Sequence, residues 1–172
     1  MTPDDIRAYG DEIYDALCAR HTLAPLTERC PDITIEDAYQ ISLRLVSRRL
    51  DAGETLVGKK IGVSSKAVQD MLNVHQPDFG FLTNGMVYDH GSEMPISTKL
   101  IQPRAEGELA FRLKKDLAGP NVTEEQVLAA TESVVPCFEV VDSRIENWKI
   151  KIQDTVADNA SCGLFVLGPD EV

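Results

Sequence analysis

The sequence predicts an α+β fold, a helical layer over residues 1–55 followed by a sheet region over 56–172. Three observations carry this. Apolar residues recur at helical spacing before residue 55 and with period two after it. Glycine and proline turn signals separate the later, strand-like runs. Helices and strands come largely in blocks rather than in strict alternation, which separates α+β from α/β architectures.

The elements follow in order. Pro3 to about Arg20 places Ile6, Ile13 and Leu17 on one side, with acids early in the run as a helix N-terminus prefers. Pro25 and Pro31 punctuate a linker. Thr34 with Asp37 forms a capping-box pattern opening a helix through Ala38, Tyr39, Leu43, Val46 and Leu50, which Gly53 ends. Val57, Ile61 and Val63 predict a short strand with Gly58, Lys60 and Gly62 on its other face. A short helix over Ser65–Leu72 follows, and Pro77, Gly80, Asn84 and Gly85 mark turns around strand pieces at Phe79–Leu82 and Met86–Tyr88. Thr123 with Gln126 caps a helix to about Ser133. Val134–Val141 is a strand whose Pro136 places its start at an edge or bulge. Asp142–Ser161 is polar and without period, and Gly163–Leu167 is a last strand with nothing evident to pair with it.

The chain has 172 residues, 43% of them apolar, which suits one domain with a real core. Its 28 acidic residues outnumber 17 basic ones for a net charge of -11, which argues against nucleic acid or an anionic membrane as partner. The first residues carry acids where a signal peptide is basic, and no apolar run approaches the ~18 residues needed to cross a membrane. Cys18, Cys30, Cys137 and Cys162 are scattered without a C-x-x-C pair, so reduced thiols are expected rather than zinc ligation. These features read as a soluble cytoplasmic protein.

Glu106-Gly107-Glu108 carries the most chemical information. The residues after it alternate as a strand, so Glu106 and Glu108 stand side by side while Leu109, Phe111 and Leu113 pack on the opposite face. Adjacent carboxylates repel unless a proton or cation sits between them, and a hard divalent cation with oxygen ligands suits such a site. Glu139, between Phe138 and Val140, is a candidate third ligand or a member of a solvated face. Lys60 among small neighbours can bring its charge to a substrate carboxylate or enolate, or stand exposed; Lys59 points the other way. Asp78 and the Asp158–Ser161 segment read equally as turn residues. His21, His75 and His90 lack metal spacing, and Trp148 reads as a packing residue.

Together, GKKIGVSSKAV (Gly58–Val68), HQPDFGFL (His75–Leu82), PRAEGELAF (Pro103–Phe111), PCFEVVDSRI (Pro136–Ile145) and KIQDTVADNASCGLFVLG (Lys151–Gly168) resemble the 2-hydroxypenta-2,4-dienoate hydratases, also called 2-oxopent-4-enoate hydratases. These belong to the fumarylacetoacetate-hydrolase-like superfamily. The likeness runs in order from about Val57 to the end, and the 4-oxalocrotonate decarboxylases share most of it.

The resemblance implies an N-terminal helical layer followed by a mixed β-sheet or roll of that superfamily's type, lacking its C-terminal part. It implies Mg2+ or Mn2+ held by Glu106, Glu108 and Glu139, with Lys60 and Asp78 as catalytic groups and Leu109 and Ser161 as substrate contacts. The implied reaction is hydration of 2-hydroxypenta-2,4-dienoate to 4-hydroxy-2-oxopentanoate in meta-cleavage degradation of aromatic compounds. The alternatives are the sister decarboxylase activity, or an inactive truncated partner subunit of a hydratase–decarboxylase complex. A homo-oligomer and association with the decarboxylase are the implied assemblies.

Overall fold

Reciprocal caps open both long helices in the computed structural model, which describes residues 1–170. In α1 (Pro3–Ala19) the Thr2 hydroxyl accepts from the Asp5 N–H while Asp5 accepts from the Thr2 N–H. A single turn, α2 (Leu26–Arg29), lies inside the expected linker and is too short to leave a period in the sequence. Thr34 and Asp37 cap α3 (Ile35–Asp51) in the same way as α1, as the capping-box pattern predicts.

β1 (Leu56–Gly62), α4 (Lys66–Leu72, capped by Ser65) and β2 (Asp78–Thr83) follow. β1 and β2 form a separate antiparallel ribbon that sets Lys60 opposite Gly80 and Gly62 opposite Asp78. After β3 (Val87–Tyr88) and α5 (Ile96–Lys99) come β4 (Arg104–Leu113), α6 (Glu124–Ala130), β5 (Thr131–Val141), α7 (Ile152–Ala157) and β6 (Leu164–Leu167). The four-stranded sheet has the order β3-β6-β5-β4, with β3 and β6 parallel and the other pairs antiparallel.

Four local expectations are corrected. β6 has partners on both sides, β5 and β3, which no local pattern announces. β5 begins at Thr131 rather than Val134, because pairing of Leu113 with Thr131 extends the ladder into the expected helix end. Pro136 sits within this central strand. Its carbonyl accepts from the Gly168 N–H at 2.7 Å, so its missing N–H faces the β6 side just beyond Leu167, the last paired residue there. Finally, Leu109, Phe111 and Leu113 do not pack: they are 65%, 50% and 47% exposed, and Phe138 beside them is 59% exposed.

The main core joins Ile13, Leu26, Ile41 and Leu45 of the helical layer to Ile152, Val156 and Ala157 of α7. The polar stretch from Asp142 to Ser161 is therefore largely interior. Arg144 is its anchor: Nε donates to Asp158 Oδ1 at 2.5 Å, Nη1 to the Asp142 carbonyl at 2.7 Å and Nη2 to the Asp158 carbonyl at 2.8 Å. A buried guanidinium is tolerable only with its donors used and its charge matched. No helix among the described residues is long and apolar enough to cross a membrane.

Candidate metal centre and active site

Strand alternation and register assemble the acidic trio. Glu106 and Glu108 share one face of β4, and Glu139 of β5 lies directly opposite Glu106. One carboxylate oxygen from each residue falls within 4.8 Å of the others. The exposure is graded, with Glu106 exposed, Glu108 half-buried and Glu139 buried.

Glu139 is the test of whether a cation fits. It is 3% exposed, and neither of its oxygens has an aligned hydrogen-bond donor among the described residues. Burying a carboxylate in that condition is costly unless a cation or proton accompanies it. Burial pushes the Glu139 carboxyl up to about 7, the Lys60 charge opposing and the Glu108 and Glu106 charges adding to the rise. Burial also raises the Glu108 carboxyl, with Glu106 adding to the effect and Lys60 opposing it. An all-oxygen, three-carboxylate donor set that is short of positive charge fits a hard divalent ion.

Lys60 enters from the ribbon. Its side chain is 9% exposed, and Nζ lies 3.3 Å from Glu139 Oε2. Burial works to lower its pKa, but the negative charges around it, that of Glu139 foremost, outweigh this and hold the ammonium above its ordinary value. Lys59 faces the other way, as expected, lying over the Phe79 and Phe81 rings at 5.5 and 5.3 Å. Asp78 is 4% exposed, and its Oδ1 has no hydrogen-bond partner among the described residues, so it is not a solvated turn residue. Burial raises its carboxyl against the pull of Lys60. Gly62 makes this approach possible, since a Cβ there would strike Asp78 Oδ1 and lie 3.4 Å from Lys60 Nζ. Asp78 also lines a cavity of about 310 Å³ with Tyr39, Val74, His75, Ile152 and Val156.

The two expected substrate contacts fare differently. Ser161 is 4% exposed, and its hydroxyl sits 3.1 Å from that of Thr155. The Leu109 side chain lies on the sheet face opposite the carboxylates, because residues one apart on a strand alternate. Its backbone is another matter. Pro136, its partner, directs its carbonyl toward Gly168, so this is a non-hydrogen-bonded pair and the Leu109 N–H faces the open edge of β4. The sequence marks Asn159 and Gly80 only as turn residues, whereas Asn159 hydrogen-bonds the Phe81 backbone and Gly80 lies within β2 against it.

No protein-family model matches the chain. Over 167 residues it is 71% identical to a 2-hydroxypent-2,4-dienoate hydratase of Pseudomonas putida, spanning 97% of this chain and 75% of that protein. The chain belongs to this hydratase family. It is also 65% identical over 164 residues to a 2-hydroxyhexa-2,4-dienoate hydratase of Comamonas testosteroni, spanning 95% of this chain and 62% of that one. Its fold matches the solved structure of 4-oxalocrotonate decarboxylase from Pseudomonas putida G7, complexed with magnesium and adipate. The TM-score is 0.95 at 33% identity, over 100% of this chain and 65% of that one. The chain thus spans between 62% and 75% of the length of these family members, and the α+β fold expected of them is the fold it adopts.

Proposed function

We propose that this site hydrates 2-hydroxypenta-2,4-dienoate to 4-hydroxy-2-oxopentanoate, with a divalent ion, in meta-cleavage degradation of aromatic compounds. The observation that carries the reading is the carboxylate trio with its buried Glu139, which lacks an aligned hydrogen-bond donor and is paired with Lys60, in a chain 71% identical to a hydratase of this class. Glu106, Glu108 and Glu139 would hold the ion, Mg2+ or Mn2+. When bound, it supplies Lewis-acid polarisation of the oxygens of a 2-oxo acid.

The remaining work falls to the chain's own groups. Lys60, whose ammonium the surrounding carboxylates favour and whose Nζ lies 3.3 Å from Glu139 Oε2, would serve as a positive charge for the negative charge developing on the substrate's 2-oxygen. Asp78, with a raised carboxyl and an unpartnered Oδ1, is suited to hold a proton and pass it to substrate carbon. The overall change is balanced by one water: a proton is gained at C5, hydroxyl at C4, and the 2-hydroxyl proton ends on C3 as the 2-oxo group forms. Leu109 would contribute its edge N–H to a substrate carboxylate oxygen, and Ser161 its hydroxyl.

The test is to incubate the purified chain and Mg2+ with 2-hydroxypenta-2,4-dienoate and, separately, with 4-oxalocrotonate, following products by NMR. Formation of 4-hydroxy-2-oxopentanoate supports hydration, and release of CO2 from 4-oxalocrotonate instead favours the decarboxylase. Identities of 71% to a hydratase against 33% to the decarboxylase favour the first outcome. We also propose that the chain forms a homo-oligomer, supported by the exposed apolar face of Leu109, Phe111, Leu113 and Phe138; a concentration-independent monomer in sedimentation would reject this. A cytoplasmic setting is supported by its four free thiols.

A further inference from the structure

Lys60 and its neighbour Asp78 ride on the β1–β2 ribbon, whereas the three carboxylates ride on the other sheet. No strand pairing joins the two among the described residues, so something else must set the distance between ammonium and carboxylate. The turn Asn159–Ser161 is the physical link. Its three residues have φ of 54°, 52° and 53°, the left-handed region that non-glycine residues rarely occupy, and consecutive examples persist only where the surroundings impose them.

One end of this turn grips the ribbon. Asn159 Oδ1 accepts from the Phe81 N–H at 2.8 Å, and Nδ2 donates to the Phe81 carbonyl at 2.9 Å. The carboxamide thereby takes the place of a neighbouring strand on the free edge of β2. The other end is tied to the ligand sheet, with the Ser161 carbonyl accepting from the Asp142 N–H at 2.9 Å, three residues beyond Glu139. Gly80, directly opposite Lys60, completes the fit. A Cβ there would lie 2.5 Å from the Asn159 carbonyl oxygen and 2.6 Å from Cys162 Sγ. Asn159 itself is 1% exposed, and among the described residues its side chain hydrogen-bonds the Phe81 backbone rather than the carboxylates or Lys60.

We propose that Asn159 is a positioning residue: by fastening β2 to the turn between α7 and β6, which Asp142 ties to the end of β5, it sets the separation of Lys60 from the Glu139 carboxylate. Only the kinetic arm of its test rests on the hydratase reading. In Asn159→Leu, which keeps the shape and loses both hydrogen bonds, the Lys60 amine becomes accessible. Acylation of Lys60 relative to Lys66, read by mass spectrometry at fixed pH, rises at least about tenfold as local protection is lost. Mg2+ affinity by calorimetry stays within about threefold, since the ligands share no partner with Asn159. Turnover falls by about 100-fold in kcat with little change in KM, the consequence expected of a charge misplaced by about 1 Å.

Gly80→Ala, which pushes the ribbon off the turn from the opposite side, gives the same pattern and decides the matter if Asn159→Leu does not fold. Parental Lys60 labelling in a folded variant overturns the proposal. So does loss of Mg2+ affinity in step with the rise in labelling, which would mean general loosening. A parent chain with no turnover would count against the hydratase reading alone, because the labelling comparison would still decide the role of Asn159.

Discussion

Lys60 Nζ stands 3.3 Å from Glu139 Oε2, although one residue belongs to a two-stranded ribbon and the other to the central strand of a separate sheet. The pair places a fixed positive charge against the most buried of three carboxylates. It makes Lys60 a counter-charge as well as the proposed reaction group, and the two roles separate under substitution.

Lys60→Met should lower kcat by about 10²–10³-fold, the loss expected when a preorganised charge is removed from a site of developing negative charge. Mg2+ affinity at about pH 8 should not fall, because the substitution removes a cation rather than a ligand. Parallel calorimetry and turnover measurements check this. A matching drop in both would show that Lys60 acts chiefly by organising the carboxylates.

The pH dependence follows from Glu139, whose carboxyl burial raises from an ordinary 4.5 to about 7. Between those values the folded state without metal binds more protons than the unfolded state, so stability should fall as pH rises through this window. Saturating Mg2+ should remove that slope by drawing on the ionised form. Its affinity should climb with pH up to about 7 and then level, with up to about one proton released on binding. Calorimetry in buffers of different ionisation enthalpy measures the release directly, and affinity flat across the window would refute the assignment.

Glu139→Gln should abolish the stabilisation that Mg2+ confers, which for the parent chain is about 2.7 kcal/mol at a hundredfold excess over Kd. With chelator present at about pH 8, the variant should be at least as stable as the parent, since a neutral amide replaces a buried charge whose desolvation outweighs the attraction of Lys60. Thermal melts with and without Mg2+ separate these effects.

Arg144→Met should destabilise the fold by about 3–5 kcal/mol in urea unfolding, because it strands the buried Asp158 carboxylate without its cation. Pairing it with Asp158→Leu should recover much of that loss. A single variant close to parental stability would mean that Asp158 is neutral in the folded protein.

Residue spacing along the chain accounts for the features that depend on near neighbours in it. The caps at Thr34 with Asp37 and at Thr123 with Gln126, and the shared face of Glu106 and Glu108, all follow from helix and strand periods. Glu139 was visible as an acid in an apolar strand, and the family motifs named the reaction class. Tertiary structure alone decided that Glu139 faces Glu106, that Lys60 reaches it, that β6 finds two partners and that Leu109, Phe111 and Leu113 stay exposed. It also decided that the polar run from Asp142 to Ser161 is interior, with Asn159 bound to Phe81. These relationships join distant segments, and their stability comes from desolvation and hydrogen-bond pairing across elements. A local period records which way a side chain points on its own element, but not which charge or backbone edge will meet it there.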